Sequence, residues 1–157
     1  HFARRENHLV LTEPMPAPMR KSLGSRGATL PDMRSPHHRI RFTEDHRILV
    51  SGADTDETPA RARDATLVQR TGQLMYELLT MYPAISGLMP EFGWDRVYGA
   101  TADGLPYIGP HRNFPRHLFA LGGSGDSVTG AFLAARIIAR HLQGDPDRGD
   151  DVFGWTR

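Results

Sequence analysis

A β-rich run, His117-Leu118-Phe119-Ala120-Leu121, leads straight into Gly122-Gly123-Ser124-Gly125-Asp126-Ser127 and then into a helical segment. This junction constrains the fold more than any other stretch. Glycines at such a junction let backbone N–H groups approach a ligand closely, since no Cβ stands in the way. The N-terminus of the following helix adds roughly half a positive charge, so the natural guest is a partly anionic group. Val128, Phe132, Ala135, Ala139 and Leu142 are expected to line the helix's apolar face. Arg140 and His141 suit its C-terminal dipole, and Gly144 ends it. A glycine-rich connection also serves simply to turn a strand into a helix, and the loop alone leaves both readings open.

Three familiar meanings of such a loop fail. A Walker loop needs lysine after its last glycine, but Gly130 is followed by Ala131. The dinucleotide fingerprint, started at Gly123, needs Gly or Ala where Val128 stands. A serine nucleophile elbow at Ser124 needs glycine where Asp126 stands, which leaves a small serine hydrolase without its motif.

The rest of the chain reads as an α+β arrangement in the order β-ββ-α-β-β-α. Residues 8–12 form a short β-rich run, and Met15 to Pro36, with four prolines, reads as irregular cover. Arg39–Phe42 and Arg47–Val50 flank Glu44-Asp45-His46 as an antiparallel hairpin. Asp54 to Pro59 reads as an acidic linker. Leu67, Thr71, Leu74, Leu78 and Met81 recur at alternating spacings of four and three, one buried stripe of a helix starting near Asp64 and stopped by Pro83. Asp64 or Thr58-Pro59 is expected to cap it. Trp94 to Ala100 is an expected strand, Asp103-Gly104 a turn and Leu105 to Ile108 an extended piece.

Composition narrows the function. The net charge is +1, which gives no bulk electrostatic signature of nucleic acid or of a membrane surface, and neither partner is expected. There is no cysteine, so disulfides, thiolate metal sites and cysteinyl flavin attachment are excluded, and a cytoplasmic location is expected. No stretch approaches the roughly 20 apolar residues that span a bilayer. The adjacent His37-His38 lacks a second ligand pair at useful spacing and reads as exposed loop, so no metal is expected. Trp94 and Trp155 read as structural. The start, His1-Phe2-Ala3-Arg4-Arg5, reads as a cut inside a longer chain.

Thr101-Ala102-Asp103-Gly104-Leu105-Pro106-Tyr107-Ile108-Gly109 resembles the T-x-D-G-L-P-x-I-G stretch of the D-amino-acid-oxidase-like flavoproteins. These include the sarcosine, glycine and glutamylputrescine oxidases. Leu11-Thr12-Glu13-Pro14-Met15-Pro16 resembles their T-E-P-L-P segment, and Arg41 to Gly52 resembles their R-x-T-x-D-G-R-I-L-x-G-G hairpin. The tail Asp150-Asp151-Val152-Phe153-Gly154-Trp155-Thr156-Arg157 resembles their closing pattern. No single piece is specific, but the ordered set is.

The resemblance implies the C-terminal part of an FAD-dependent oxidoreductase that oxidises an amine or amino acid by hydride transfer to the flavin. Residues 1–112 are then part of the substrate domain. Residues 113–157 supply a strand, loop, helix and tail that contact the flavin and a missing N-terminal dinucleotide-binding domain, so the fragment alone is expected to be inactive. Flavin contacts are expected at Pro106, Ile108, Gly109, Gly122, Gly123, Ser124, Gly125, Asp126 and Ser127. Arg41 is the expected clamp for a substrate carboxylate and Tyr98 a second substrate contact. Arg39 reads as a solvated strand face. The competing reading is a non-catalytic binding or scaffold domain. Asp126 favours it, since a carboxylate facing the flavin opposes the reduced anion unless it caps the helix instead.

Overall fold

A computed structural model describes residues 2–23, 29–31, 38–122 and 127–156. The elements are β1 (Ala3–Thr12), α1 (Ala17–Leu23), β2 (Thr29–Pro31), β3 (Arg39–Phe42), β4 (Ile48–Asp56), α2 (Arg63–Met81), β5 (Pro90–Ala100), β6 (Tyr107–His111), β7 (Phe114–Leu121) and α3 (Ser127–Gln143). Short 3-10 turns occupy Ala60–Ala62, Pro83–Ile85 and Arg148–Phe153. Among the described residues, five strands form one sheet in the order β2-β3-β4-β1-β5, and β6 pairs with β7. The chain divides into two compact units, residues 5–97 and residues 1–4 with 98–157. The fold is α+β, as expected.

In the first unit the alternation of β3 and β4 sets the layers. Ile40 pairs with Val50 and Phe42 with Ile48 in an antiparallel register. Val10 of β1 lies opposite Val50, again antiparallel. These side chains point to one face, where Leu74 and Leu78 of α2 and Ile85 and Leu88 beyond it complete the core. Leu74 and Leu78 are fully buried, each burial stabilising the unit by about 1.5–3 kcal/mol. The helical stripe at Leu67, Thr71, Leu74, Leu78 and Met81 is therefore the face turned inward, as its spacing predicts.

Several expectations are corrected. Met15 to Pro36 is not only irregular cover, because it holds α1 and β2. Pro18 fits α1 because it stands in the first turn, where a backbone N–H has no helical partner. Buried Met15, with Met19 and Leu23 packed on the core, gives this short helix its stability. The acidic linker from Asp54 is in its first half the end of β4, held by an Arg5–Asp56 ion pair at 2.6 Å. No side chain caps α2: Ala62 is its N-cap, since the turn Ala60–Ala62 feeds straight into the helix. His38 is buried rather than exposed, with Nε2 2.7 Å from Glu77 Oε2. His37 lies outside the described residues.

The second unit is built on the β6–β7 hairpin and α3. Ile108 packs with Ala134 and Ile137, and Leu133, Ile138 and Phe153 close this small core. The apolar stripe of α3 is exposed in this chain. Val128 is 80% exposed, Phe132 66% and Leu142 72%, while Ala134 and Ile137 are buried. The helix is apolar around most of its circumference, so spacing alone does not say which side meets β6.

Candidate functional site

The Thr101–Leu105 motif is a self-capped turn. The Thr101 hydroxyl donates to the Leu105 carbonyl at 2.9 Å. The Asp103 carboxylate accepts from the Leu105 N–H at 3.1 Å, and Gly104 N–H reaches the Thr101 carbonyl at 3.3 Å. Threonine and aspartate supply short side chains that satisfy the turn's own backbone, which is the physical content of the T-x-D-G-L pattern. The turn delivers the chain to Tyr107, whose strand pairs Gly109 with Phe119 and Tyr107 with Leu121.

The two described glycines of the expected site differ in purpose. Gly109 has φ +114°, a backbone state that side chains rarely adopt, and a methyl placed there would meet no described atom within 4 Å. Gly122 has φ +82°, but its Cβ position is already taken, 2.7 Å from Thr101 Cγ2 and 2.8 Å from Phe2 Cε1. Packing accounts for Gly122. Gly109 instead leaves open room beside a buried backbone, which is what close approach of a flat ligand requires.

The tail folds back onto this hairpin. Trp155 stacks on Tyr107 with centroids 5.0 Å apart and planes 17° apart. It meets His111 edge-on at 5.0 Å, Phe119 at 5.7 Å and Phe2 at 6.3 Å. Its indole N–H donates to the Gly109 carbonyl at 3.3 Å.

In the first unit the sheet has a second face, opposite the core. Arg39 pairs with Ser51 and Arg41 with Leu49, while Leu9 and Leu11 of β1 lie opposite the same two β4 residues. The strand period of two therefore places Arg39 and Arg41 together with Leu9, Leu11 and Leu49, and both arginines are exposed. The Arg41 guanidinium beside this aliphatic floor suits a carboxylate with an apolar neighbour.

Buried polar groups that the sequence did not single out support this sheet. Glu6 accepts from the Thr58 N–H at 2.9 Å and lies 4.0 Å from Arg63. Arg63 also donates Nε–H to Asp95 at 3.0 Å, and that guanidinium holds the Asp95 carboxyl below the usual carboxylate range, against the opposing effect of burial. Asn7 donates to Asp54 at 2.5 Å and to the Gly52 carbonyl at 3.3 Å. The polar run Glu6–His8 reads as surface until segments some fifty residues away enclose it, so no local signal marks these residues. Among the described residues no cluster of His, Cys, Asp or Glu is arranged to hold a metal.

The family model for FAD-dependent oxidoreductases, the DAO family, matches residues 2–141. The chain belongs to this family. Within it, the chain is 26% identical over 143 residues to a probable oxidoreductase, OrdL, of Haemophilus influenzae, covering 91% of this chain and 30% of that protein. It is 28% identical over 142 residues to the gamma-glutamylputrescine oxidoreductase of Escherichia coli, covering 90% of this chain and 32% of that one. The chain thus spans about a third of the length of these curated relatives. The fold matches an L-proline dehydrogenase from P. horikoshii with a TM-score of 0.73 at 17% identity, over 98% of this chain and 39% of that one. It also matches a glycine oxidase from Geobacillus kaustophilus with a TM-score of 0.72 at 17% identity, over 100% of this chain and 40% of that one.

In this DAO-family chain, the expected contact residues fall into separate places. Pro106, Ile108, Gly109 and Gly122 are on or beside the β6–β7 hairpin of the second unit. The Ile108 side chain belongs to the core, which leaves only its backbone for a ligand. Ser127 opens α3. Gly123, Ser124, Gly125 and Asp126 lie outside the described residues. Arg41 stands on the open sheet face of the first unit, and Tyr98, half-buried on β5, falls in the second. No described helix is long and apolar enough to cross a membrane.

Proposed function

We propose that this chain supplies the substrate-facing sheet and the flavin-contacting hairpin of a longer FAD-dependent oxidoreductase that oxidises an amine or amino acid. The match of the family model over residues 2–141 carries this reading. The names of the relatives, an oxidoreductase of gamma-glutamylputrescine and a glycine oxidase among them, point to substrates with an oxidisable carbon–nitrogen bond.

The residues present fit FAD. Gly109 leaves a clear approach beside a buried backbone, and α3, which starts at Ser127, has its positive dipole end there. FAD, when bound, supplies a two-electron acceptor for hydride transfer from the carbon next to the substrate amine. Pro106, Ile108 and Gly109 line its edge through their backbone, and Gly122 to Ser127 shape the turn at the helix start. Asp126 or Ser127 caps that helix rather than facing the flavin. Arg41 binds the substrate carboxylate through two parallel N–H bonds, and Tyr98 is a second substrate contact. The G-x-G-x-x-G pattern that grips the ADP half is absent from these 157 residues, so the isolated chain retains little FAD.

The test uses the full-length gene product. It is expected to be yellow, and its flavin absorption should bleach when a primary or secondary amine or amino acid is added without oxygen. A full-length protein that binds no FAD, or whose bound flavin no such compound reduces, refutes the proposal. For the isolated chain, stoichiometric flavin retained through gel filtration would show that the missing contacts are unnecessary.

A further inference from the structure

We infer that Trp155 is a positioning residue for the flavin site, holding the Gly109 backbone in the one conformation that leaves its approach clear. This rests on the reading of Gly109 as a flavin contact. Trp155 itself lies beyond the family-matched stretch 2–141.

Three independent features converge on Gly109. Tyr107 and His111, two residues to either side of it, both lay their rings on Trp155. Its cross-strand partner Phe119 does the same from β7. The indole N–H takes the Gly109 carbonyl, which fixes the rotation of the peptide plane between Gly109 and Pro110. Pro110 has no N–H to give that plane a second anchor.

Trp155 is held from its own side as well. Asp150 is gripped by Arg140 of α3 and accepts from the Asp147 N–H at 3.1 Å, and Phe153 packs on the core that contains Ile108. The tail is therefore fastened to α3 and to β6 at once, and Trp155 carries its hydrogen bond to the glycine.

The experiment compares FAD affinity in full-length apo-protein, followed by flavin fluorescence, for Trp155→Phe and Gly109→Ala. A third variant carries 3-benzothienylalanine at position 155, which keeps the bicyclic shape and replaces the N–H by sulfur. Loss of the single hydrogen bond should raise the FAD dissociation constant about fivefold in the benzothienyl protein, with the thermal midpoint unchanged. The flavin absorption band should shift as the Gly109 peptide plane turns. Gly109→Ala should weaken FAD further. A benzothienyl protein with unchanged affinity and spectrum overturns the inference, even if Trp155→Phe fails to fold. If Gly109→Ala also leaves affinity untouched, the assignment of Gly109 to the flavin is itself wrong.

Discussion

Arg140 of α3 grips the Asp150 carboxylate with two N–H groups, Nε at 3.0 Å and Nη2 beside it, and so ties the helix to the tail ten residues on. The Arg140 guanidinium holds the Asp150 carboxyl below the usual carboxylate range. A carboxyl whose folded value is depressed stabilises the fold in full above its unfolded value. That contribution is lost as the pH falls through the lower, folded value. Asp150→Asn should therefore lower the thermal midpoint by a constant amount from neutral pH down to about pH 5, with the gap to the parent closing below about pH 4. Thermal scans of both proteins across that range check it, and a gap that widens in acid would contradict it.

Leu78 is fully buried where α2 meets the sheet, so Leu78→Ala should cost about 2–5 kcal/mol in urea unfolding. Val68, on the same helix but exposed, should lose no more than about 0.5 kcal/mol as alanine. Equal losses at the two positions would mean that the face of α2 is misassigned.

His46 closes the β3–β4 turn with φ +68°. The related flavoproteins carry glycine at this place in the R-x-T-x-D-G-R pattern. Thr43 and Asp45 satisfy the turn around it, the Thr43 hydroxyl accepting from Arg47 N–H at 3.0 Å. His46→Gly removes the steric penalty of a left-handed residue and adds chain entropy to the unfolded state, for a net gain of about 0.5–1 kcal/mol. Chemical denaturation measures this directly, and a loss of stability would show that the imidazole makes a contact worth more than the strain.

On the proposed reading, Arg41→Met should raise KM for an amino-acid substrate by about tenfold to a hundredfold, the range for a lost charge-assisted hydrogen bond. KM for an amine without a carboxylate should hardly change. Arg39→Met should leave both within a few-fold. Equal effects on the two substrate types would remove Arg41 from the carboxylate.

What the sequence made legible is what is local. The β3–β4 hairpin shows in the alternation of Arg39-Ile40-Arg41-Phe42, and α2 shows in its four-and-three spacing. The Thr101–Leu105 turn is readable because each of its hydrogen bonds closes within four residues. The amino-terminal half of β1 is not, because Glu6 and Asn7 look like surface and find partners such as Thr58 and Gly52, 52 and 45 residues away. Likewise the burial of His38 depends on Glu77 of a later helix. The inward face of α3 is not legible, because Phe132 and Ile137 are equally apolar and only β6 distinguishes them. Trp155 was read as structural, with nothing in its neighbours to announce the Gly109 carbonyl.

The strand order β2-β3-β4-β1-β5 puts β1 between β4 and β5, although it precedes both in the chain. Phe42 and Ile48 meet across a short turn, whereas Arg5 reaches Asp56 only after a fifty-residue loop has closed. During synthesis, then, β1 emerges before both and waits, with Val10 unburied until β4 follows and its other edge open until β5 does. The hairpin of β3 and β4 is the natural nucleus, and β1 docks late onto it. Destabilising changes in the hairpin should slow refolding, whereas those at Val10 should chiefly hasten unfolding.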